Sequence, residues 1–205
     1  QGALLDNDWG TYPFCTASTT LAGGAAGGLG IAPRWIDHVV GVAKAYTTRV
    51  GAGPMPTELL DETGEAIRQA GAEFGTVTGR PRRCGWFDAE LVRFSAALNG
   101  CTTLALTKLD VLDDLPVIKL GVGYCPQAGE VAHYWQGDAR WLAGCEPEYV
   151  VVEGWEKSTS AARRWEELPD KAQAYVRKVE ALVEVPVRWV SVGPEREATI
   201  EVPRG

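Results

Sequence analysis

Leu168 to Val190 reads LPDKAQAYVRKVEALVEVPVRWV, and this stretch decides the fold class. Pro169 suits the first turn of a helix, where a missing N–H is no loss. Ala172, Tyr175, Val176, Val179, Leu182 and Val183 then recur at helical spacing and form one apolar stripe. Pro186 ends the helix, because its ring cannot continue the hydrogen-bond ladder. Val187–Val190 is short, apolar and partly β-branched, which predicts a buried strand. A helix that packs one face and returns directly as a strand is the unit of an α/β fold.

The same alternation extends upstream. Asp88 to Asn99 predicts a helix, with Asp88 as N-cap, Leu91, Val92 and Ser95 on one face, and Asn99-Gly100 as the stop. Leu59 to Ala70 predicts another, with an acidic first turn. Thr102–Thr107, Val117–Tyr124 and Tyr149–Glu153 read as strands, as does Val39–Val50. Pro33 to His38 reads as a short helix. Residues 1–30 are rich in glycine and threonine, up to the run Ala22-Gly23-Gly24-Ala25-Ala26-Gly27-Gly28-Leu29-Gly30, and are expected to lack regular structure. The stretch 125–148 carries no clear pattern. The expectation is a single α/β region over 1–205, with a mixed sheet flanked by helices.

Composition narrows the function. With 45% hydrophobic and 23% charged residues among 205, the chain can build a core, and no apolar run approaches the ~20 residues a membrane helix needs. No secretion signal is visible at the start. The formal net charge of −7 does not favour nucleic acid or an anionic membrane as partner. Five cysteines at wide spacing, with no C-x-x-C pair, fit a reducing cytoplasm and not a disulfide scaffold or a zinc knuckle. The chain opens Gln1-Gly2-Ala3 and its one methionine is Met55, so a portion of a longer protein is expected. The tryptophans, Trp135, Trp141 and Trp155 among them, read as packing groups, and His38 and His133 as surface or structural ones.

Three segments could carry chemistry. In Glu73-Phe74-Gly75-Thr76-Val77-Thr78-Gly79-Arg80-Pro81-Arg82-Arg83, three guanidiniums fall within four residues beside small and hydroxyl residues. Arginine forks grip carboxylate or phosphate bidentately; a solvated basic loop would carry the same residues. Thr107-Lys108-Leu109-Asp110 follows a buried strand, where ligands of open α/β sheets collect. An aspartate there can accept from the N1–H and exocyclic amine of guanine, although a plain strand-ending turn reads alike. Ser191-Val192-Gly193-Pro194 also follows a strand and is a turn unless it closes over the same base. No G-x-x-x-x-G-K-[ST] phosphate loop occurs.

In their order, Gly10-Thr11-Tyr12-Pro13-Phe14, Leu29-Gly30-Ile31, Gly41 to Gly51, Gly53 to Leu59, Thr78 to Trp86, Ala105 to Asp110 and Gly193-Pro194 resemble the adenylosuccinate synthetase family, from Gln1 to about Ile200. That resemblance implies a GTP- and magnesium-dependent ligase joining IMP to L-aspartate, cytoplasmic and homodimeric, of which this chain is the carboxyl-terminal half. It implies that Gln1, Thr16 and Arg80 contact IMP. Thr76, Val77, Thr78, Gly79, Arg80, Pro81 and Arg82 would form an aspartate-binding loop. Arg82, Lys108, Leu109, Asp110, Ser191, Val192 and Gly193 would bind GTP. The family's phosphate loop, catalytic aspartate and histidine, and metal ligands precede Gln1, so neither catalytic residues nor metal ligands are expected here, and the 205-residue chain alone is expected to be inactive. The competing reading is a free-standing guanine-nucleotide or anion-binding module without catalysis. Departures from the family pattern are Val77, which interrupts the three threonines that family members commonly carry before Gly79, and Thr19 and Leu21 near Thr16.

Overall fold

The structure is a computed structural model that describes residues 2–77, 79–126 and 138–204. Its helices are α1 (Gly23–Leu29), α2 (Glu62–Ala70), α3 (Ala89–Asn99), α4 (Ala139–Ala143) and α5 (Asp170–Val183). Its strands are β1 (Val40–Lys44), β2 (Thr47–Arg49), β3 (Arg83–Gly85), β4 (Phe87–Asp88), β5 (Thr103–Thr107), β6 (Val117–Pro126), β7 (Cys145–Glu153), β8 (Val187–Ser191) and β9 (Thr199–Glu201). The central sheet runs β1-β5-β8-β9, parallel except for β9. Two smaller sheets, β2-β3 and β4-β6-β7, complete a mixed α/β architecture in which the expected sheet is divided into three.

The deciding stretch folds as its pattern requires. Ala172, Tyr175, Val176, Val179 and Val183 of α5 are buried, and Leu182 packs partly against the same core. Glu184 adopts the left-handed conformation (φ 61°) at the helix end, ahead of Pro186. The Tyr175 hydroxyl donates to the Ala45 carbonyl at 2.6 Å, tying α5 to the end of β1. One core joins α5 and β8 to Leu104, Leu106, Ile118, Leu120 and Trp155.

Three expectations are corrected. The strand expected over Val39–Val50 divides into β1 and β2, which belong to different sheets. Between them Tyr46 turns inward and is almost fully buried, hydrogen-bonded to Glu73, so the chain leaves the central sheet there. The glycine-rich run holds a helix, α1. The Ala22 N–H donates to the Asn99 side chain at 2.7 Å, and Gly24 lies so close to Thr19 that a Cβ would stand 2.2 Å from its methyl. Tertiary contacts here override poor helix propensity. Pro33–Trp35 forms only one turn of 3-10 helix. Within 125–148, β6 runs on to Pro126, α4 forms at 139–143 and β7 starts at Cys145; residues 127–137, with His133 and Trp135, lie outside the described residues.

Asp88 caps α3 as expected, accepting from the Leu91 N–H at 3.0 Å. It is also fully buried, and the Tyr124 hydroxyl donates to its carboxylate at 2.8 Å. Burial pushes the carboxyl up to about 6, against the Leu91 and Tyr124 hydrogen bonds that pull it down. A folded-state pKa raised above the unfolded value means that the native state holds the extra proton between about pH 4 and 6, so stability falls as pH rises through that window. Asp88→Asn keeps an acceptor for the cap and removes the buried charge. We expect it to raise stability by about 2 kcal/mol near pH 8 and to flatten the dependence between about pH 4 and 6, as read by urea melts.

Candidate functional site

The carboxyl ends of the three parallel strands lie side by side. Lys44 closes β1 and pairs in register with Thr107, the last residue of β5, while Leu106 pairs with Val190 of β8. The residues that follow are therefore brought together by topology, as ligand sites of open α/β sheets are. Lys108 turns the chain by adopting a left-handed conformation (φ 61°, ψ 39°), and its backbone N–H donates to the Ser191 hydroxyl at 3.2 Å. The two strand-end loops are thus joined directly. Leu109 and Val192 are buried beneath them, and Gly193 is half-buried.

Asp110 stands in the single 3-10 turn Leu109–Leu112. Its Oδ1 is buried and has no hydrogen-bond partner. Burial is the largest influence on this carboxyl and pushes its pKa up; its own backbone N–H pulls the other way, Asp113 adds repulsion and Lys108 offsets part of it. A desolvated carboxylate oxygen without a donor is unfavourable by about 1–3 kcal/mol or more. A ligand that presents N–H groups would remove that penalty.

The arginine-rich segment is a pinched loop. Phe74 bridges Pro81, the Gly75 N–H donates to the Arg80 carbonyl at 2.9 Å, and the Gly79 N–H donates to the Gly75 carbonyl at 2.8 Å. Gly79 takes φ 62°, where a side chain would be strained. Thr76, Val77, Gly79, Arg80 and Pro81 are exposed, Val77 at 96%. Val77 therefore presents backbone and an apolar tip to solvent. Thr78 and Gln1 lie outside the described residues.

The three arginines separate in space as they could not in sequence. Arg83 is taken by Glu58, with Nε 2.7 Å from one carboxylate oxygen, and it also holds the Gly53 carbonyl at 2.7 Å. Arg80 is exposed on the loop. Arg82 turns back toward the sheet, its Nη1 donating to Glu73 at 2.7 Å, while its Nε is buried with no partner.

Glu73 is the group that sequence reading missed. Its side chain is fully buried, with Oε1 accepting from Tyr46 (2.5 Å), Lys44 (2.7 Å) and Lys108 (3.1 Å), and Oε2 from Arg82. Lys108 Nζ also donates to the Gly71 carbonyl. Burial alone would raise the Glu73 carboxyl, but the hydrogen bonds from Lys44, Tyr46, Arg82 and Lys108 outweigh it and bring it to about 2. Three cations around one carboxylate leave a net positive corner in an acidic chain. Glu73 stands in the quoted segment, but only the fold reveals that its partners come from three separate strand ends.

Thr16 sits elsewhere, in a loop that Arg49 organises. The Thr16 N–H donates to the Leu5 carbonyl at 2.8 Å. The Arg49 guanidinium, 2% exposed, donates to the Thr11 hydroxyl (2.7 Å) and to the carbonyls of Phe14, Ala52 and Pro54. An open cavity of about 640 Å³ between β1 and α3 is lined by Gly2, Thr20, Lys44, Thr48 and Arg82, among others; Thr16, Arg80 and the two strand-end loops are not on its wall. Among the described residues no group of three or more His, Cys, Asp or Glu could hold a metal ion. Among them, too, no helix is long and apolar enough to cross a membrane.

The family model of adenylosuccinate synthetase matches residues 1–200. The chain belongs to the adenylosuccinate synthetase family. It is 55% identical to the adenylosuccinate synthetase of Heliobacterium modesticaldum over 202 residues, covering 98% of this chain and 47% of that protein. It is 52% identical to that of Trichlorobacter lovleyi over the same length, again 47% of the relative. The fully ligated adenylosuccinate synthetase of Plasmodium falciparum superposes with a TM-score of 0.94 at 39% identity, covering 98% of this chain and 48% of that one. The chain thus spans about half the length of the curated relatives it matches.

Proposed function

We propose that residues 1–205 are one region of a whole protein that joins IMP and L-aspartate at the expense of GTP, giving adenylosuccinate on the route to AMP. The observation that carries the guanine part of this reading is the Asp110 Oδ1, buried and partnerless beside the strand-end loop tied to Ser191. Guanine offers two adjacent N–H donors, which suits a carboxylate and removes its desolvation penalty. Lys108, Leu109, Ser191, Val192 and Gly193 form the walls, with the lysine stem against the ring.

The aspartate loop then takes the dicarboxylate. In the loop Thr76 to Arg82, Thr76, Val77 and Arg80 are exposed, and Arg82 stands at the stem, where it also reaches the nucleotide. Together these orient the amine of aspartate and hold its carboxylates away from the reacting centre. Thr16 and Arg80, with Gln1, contact IMP. The reaction has a chemical logic: phosphorylating the 6-oxygen of IMP makes it a leaving group, and the aspartate amine displaces it as phosphate. The groups that move the phosphoryl and hold magnesium belong to the rest of the protein, as does part of a homodimer interface. Five free cysteines suit the cytoplasm as the place of action.

The test is an assay of the whole protein with IMP, aspartate and either GTP or ATP. Adenylosuccinate should form with GTP, at a much lower rate with ATP, and not at all when any substrate is omitted. Equal use of ATP would refute the guanine assignment.

A further inference from the structure

Arg82 stands at the stem of the dicarboxylate loop and Lys108 in the guanine loop, and the two oxygens of one buried carboxylate hold them both. Glu73 Oε2 takes Arg82 and Oε1 takes Lys108, with Lys44 and Tyr46 on the same oxygen. The backbone reinforces this arrangement: the Arg82 N–H donates to the Glu73 carbonyl at 2.9 Å, and the Glu73 N–H to the Arg68 carbonyl at the end of α2, also at 2.9 Å. Glu73 is therefore fixed at the stem of the loop and cannot move independently of it. Lys44, Arg82 and Lys108 share this carboxylate; burial, and after it the charges of Lys108 and Arg82, disfavour charge on Lys44, and Glu73 offsets part of this.

We infer that Glu73 is a positioning residue that couples the dicarboxylate loop to the guanine loop. The inference rests on the function proposed above and adds a link between its two subsites. A ligand that orders Arg82 fixes the Glu73 carboxylate, and the carboxylate in turn fixes the Lys108 ammonium between Oε1 and the Gly71 carbonyl. The second ligand then meets a cation whose ordering has already been achieved, which makes binding favourably cooperative. Linkage requires that the effect be equal in both directions.

The test uses the whole protein and two probes that do not react: GDP for the guanine loop, and succinate, a dicarboxylate without the nucleophilic amine. Calorimetry would give GDP affinity with and without saturating succinate, and succinate affinity with and without GDP. In the native protein each probe should tighten the other by about tenfold, an ordinary size for coupled sites. Glu73→Gln should bring that factor to about one, because an amide turns a donor toward the cations. Glu73→Asp keeps the charge but is too short to hold Arg82 and Lys108 together, and it should lose the coupling while remaining folded. An unchanged factor in a folded Glu73 variant overturns the inference, as does a native protein that binds both probes independently; in either case the proposed function stands. A native protein that binds neither probe refutes the proposed function, and this inference with it. If neither variant folds, Glu73 is a determinant of folding and the inference fails in this form.

Discussion

Asp110→Asn is expected to weaken binding of GTP to the whole protein by about two to three orders of magnitude, roughly 3–4 kcal/mol, and to make XTP the preferred nucleotide. The carboxylate can accept from both N–H groups of guanine, and hydrogen bonds to a charged group are worth about 1.5–3 kcal/mol each. An amide keeps one acceptor and turns a donor toward the exocyclic amine of guanine, which is also a donor. Xanthine carries a carbonyl at that position, so the amide pairs with it. The substitution also removes a charge whose Oδ1 has no partner in this structure, so the fold should tolerate it. Nucleotide competition assays on the purified variant would show the change, and retention of GTP preference would remove Asp110 from the guanine site.

The second large effect is expected at Arg82. Arg82→Ala should lower kcat/KM for aspartate by about a thousandfold, from the loss of a charge-assisted fork and the disordering of the loop stem. It should also leave a mark on stability. Glu73 has its carboxyl drawn down to about 2 from an ordinary 4.5. A depressed folded pKa contributes stability above the unfolded value, and that contribution is lost as pH falls from about 4.5 toward 2. Removing one of the four donors raises the folded pKa, so this contribution to stability shrinks at every pH above about 4.5, and acid unfolding should begin at higher pH. Arg83→Ala provides the contrast. Its guanidinium belongs to Glu58 and the Gly53 carbonyl, so stability should fall while the aspartate requirement stays near that of the native protein. Steady-state kinetics and acid titration of both variants separate the two roles; identical behaviour would contradict the division of labour seen in the loop.

The elements that were legible in the sequence are those whose signals are local. The stripe from Ala172 to Val183, with Pro169 before it and Pro186 after, specifies α5 almost to the residue, and Asp88 with Gly100 does the same for α3. The break between β1 and β2 was not legible, because β-branched residues stand on both sides of it and neither Ala45 nor Tyr46 is a turn former. It depends on Tyr46 finding a partner 27 positions away. Helix α1 was hidden for a related reason: GGAAGGL has weak propensity, and the Asn99 side chain that fixes its start comes from α3.

The candidate site divides in the same way. That Lys108 and Asp110 end a buried strand could be read from the residues themselves. That Ser191 lies beside them could not, since it depends on β5 and β8 being neighbours. Arg80, Arg82 and Arg83 look equivalent in sequence; the partners of Arg82 and Arg83 distinguish them, and of these Glu73 stands at the far end of the segment while Glu58 lies outside it. A buried acid among cations leaves no periodic signal, which is why Glu73 and the uncharged cage around Arg49 came only from the fold.

The whole protein is proposed to activate the 6-oxygen of IMP with GTP so that aspartate can displace it. The most direct measurement supplies IMP labelled with oxygen-18 at that position, together with aspartate and GTP, and follows the label by mass spectrometry. The account predicts that the label leaves entirely in inorganic phosphate, one for each adenylosuccinate formed. Label appearing in water, or product formed without labelled phosphate, would contradict it.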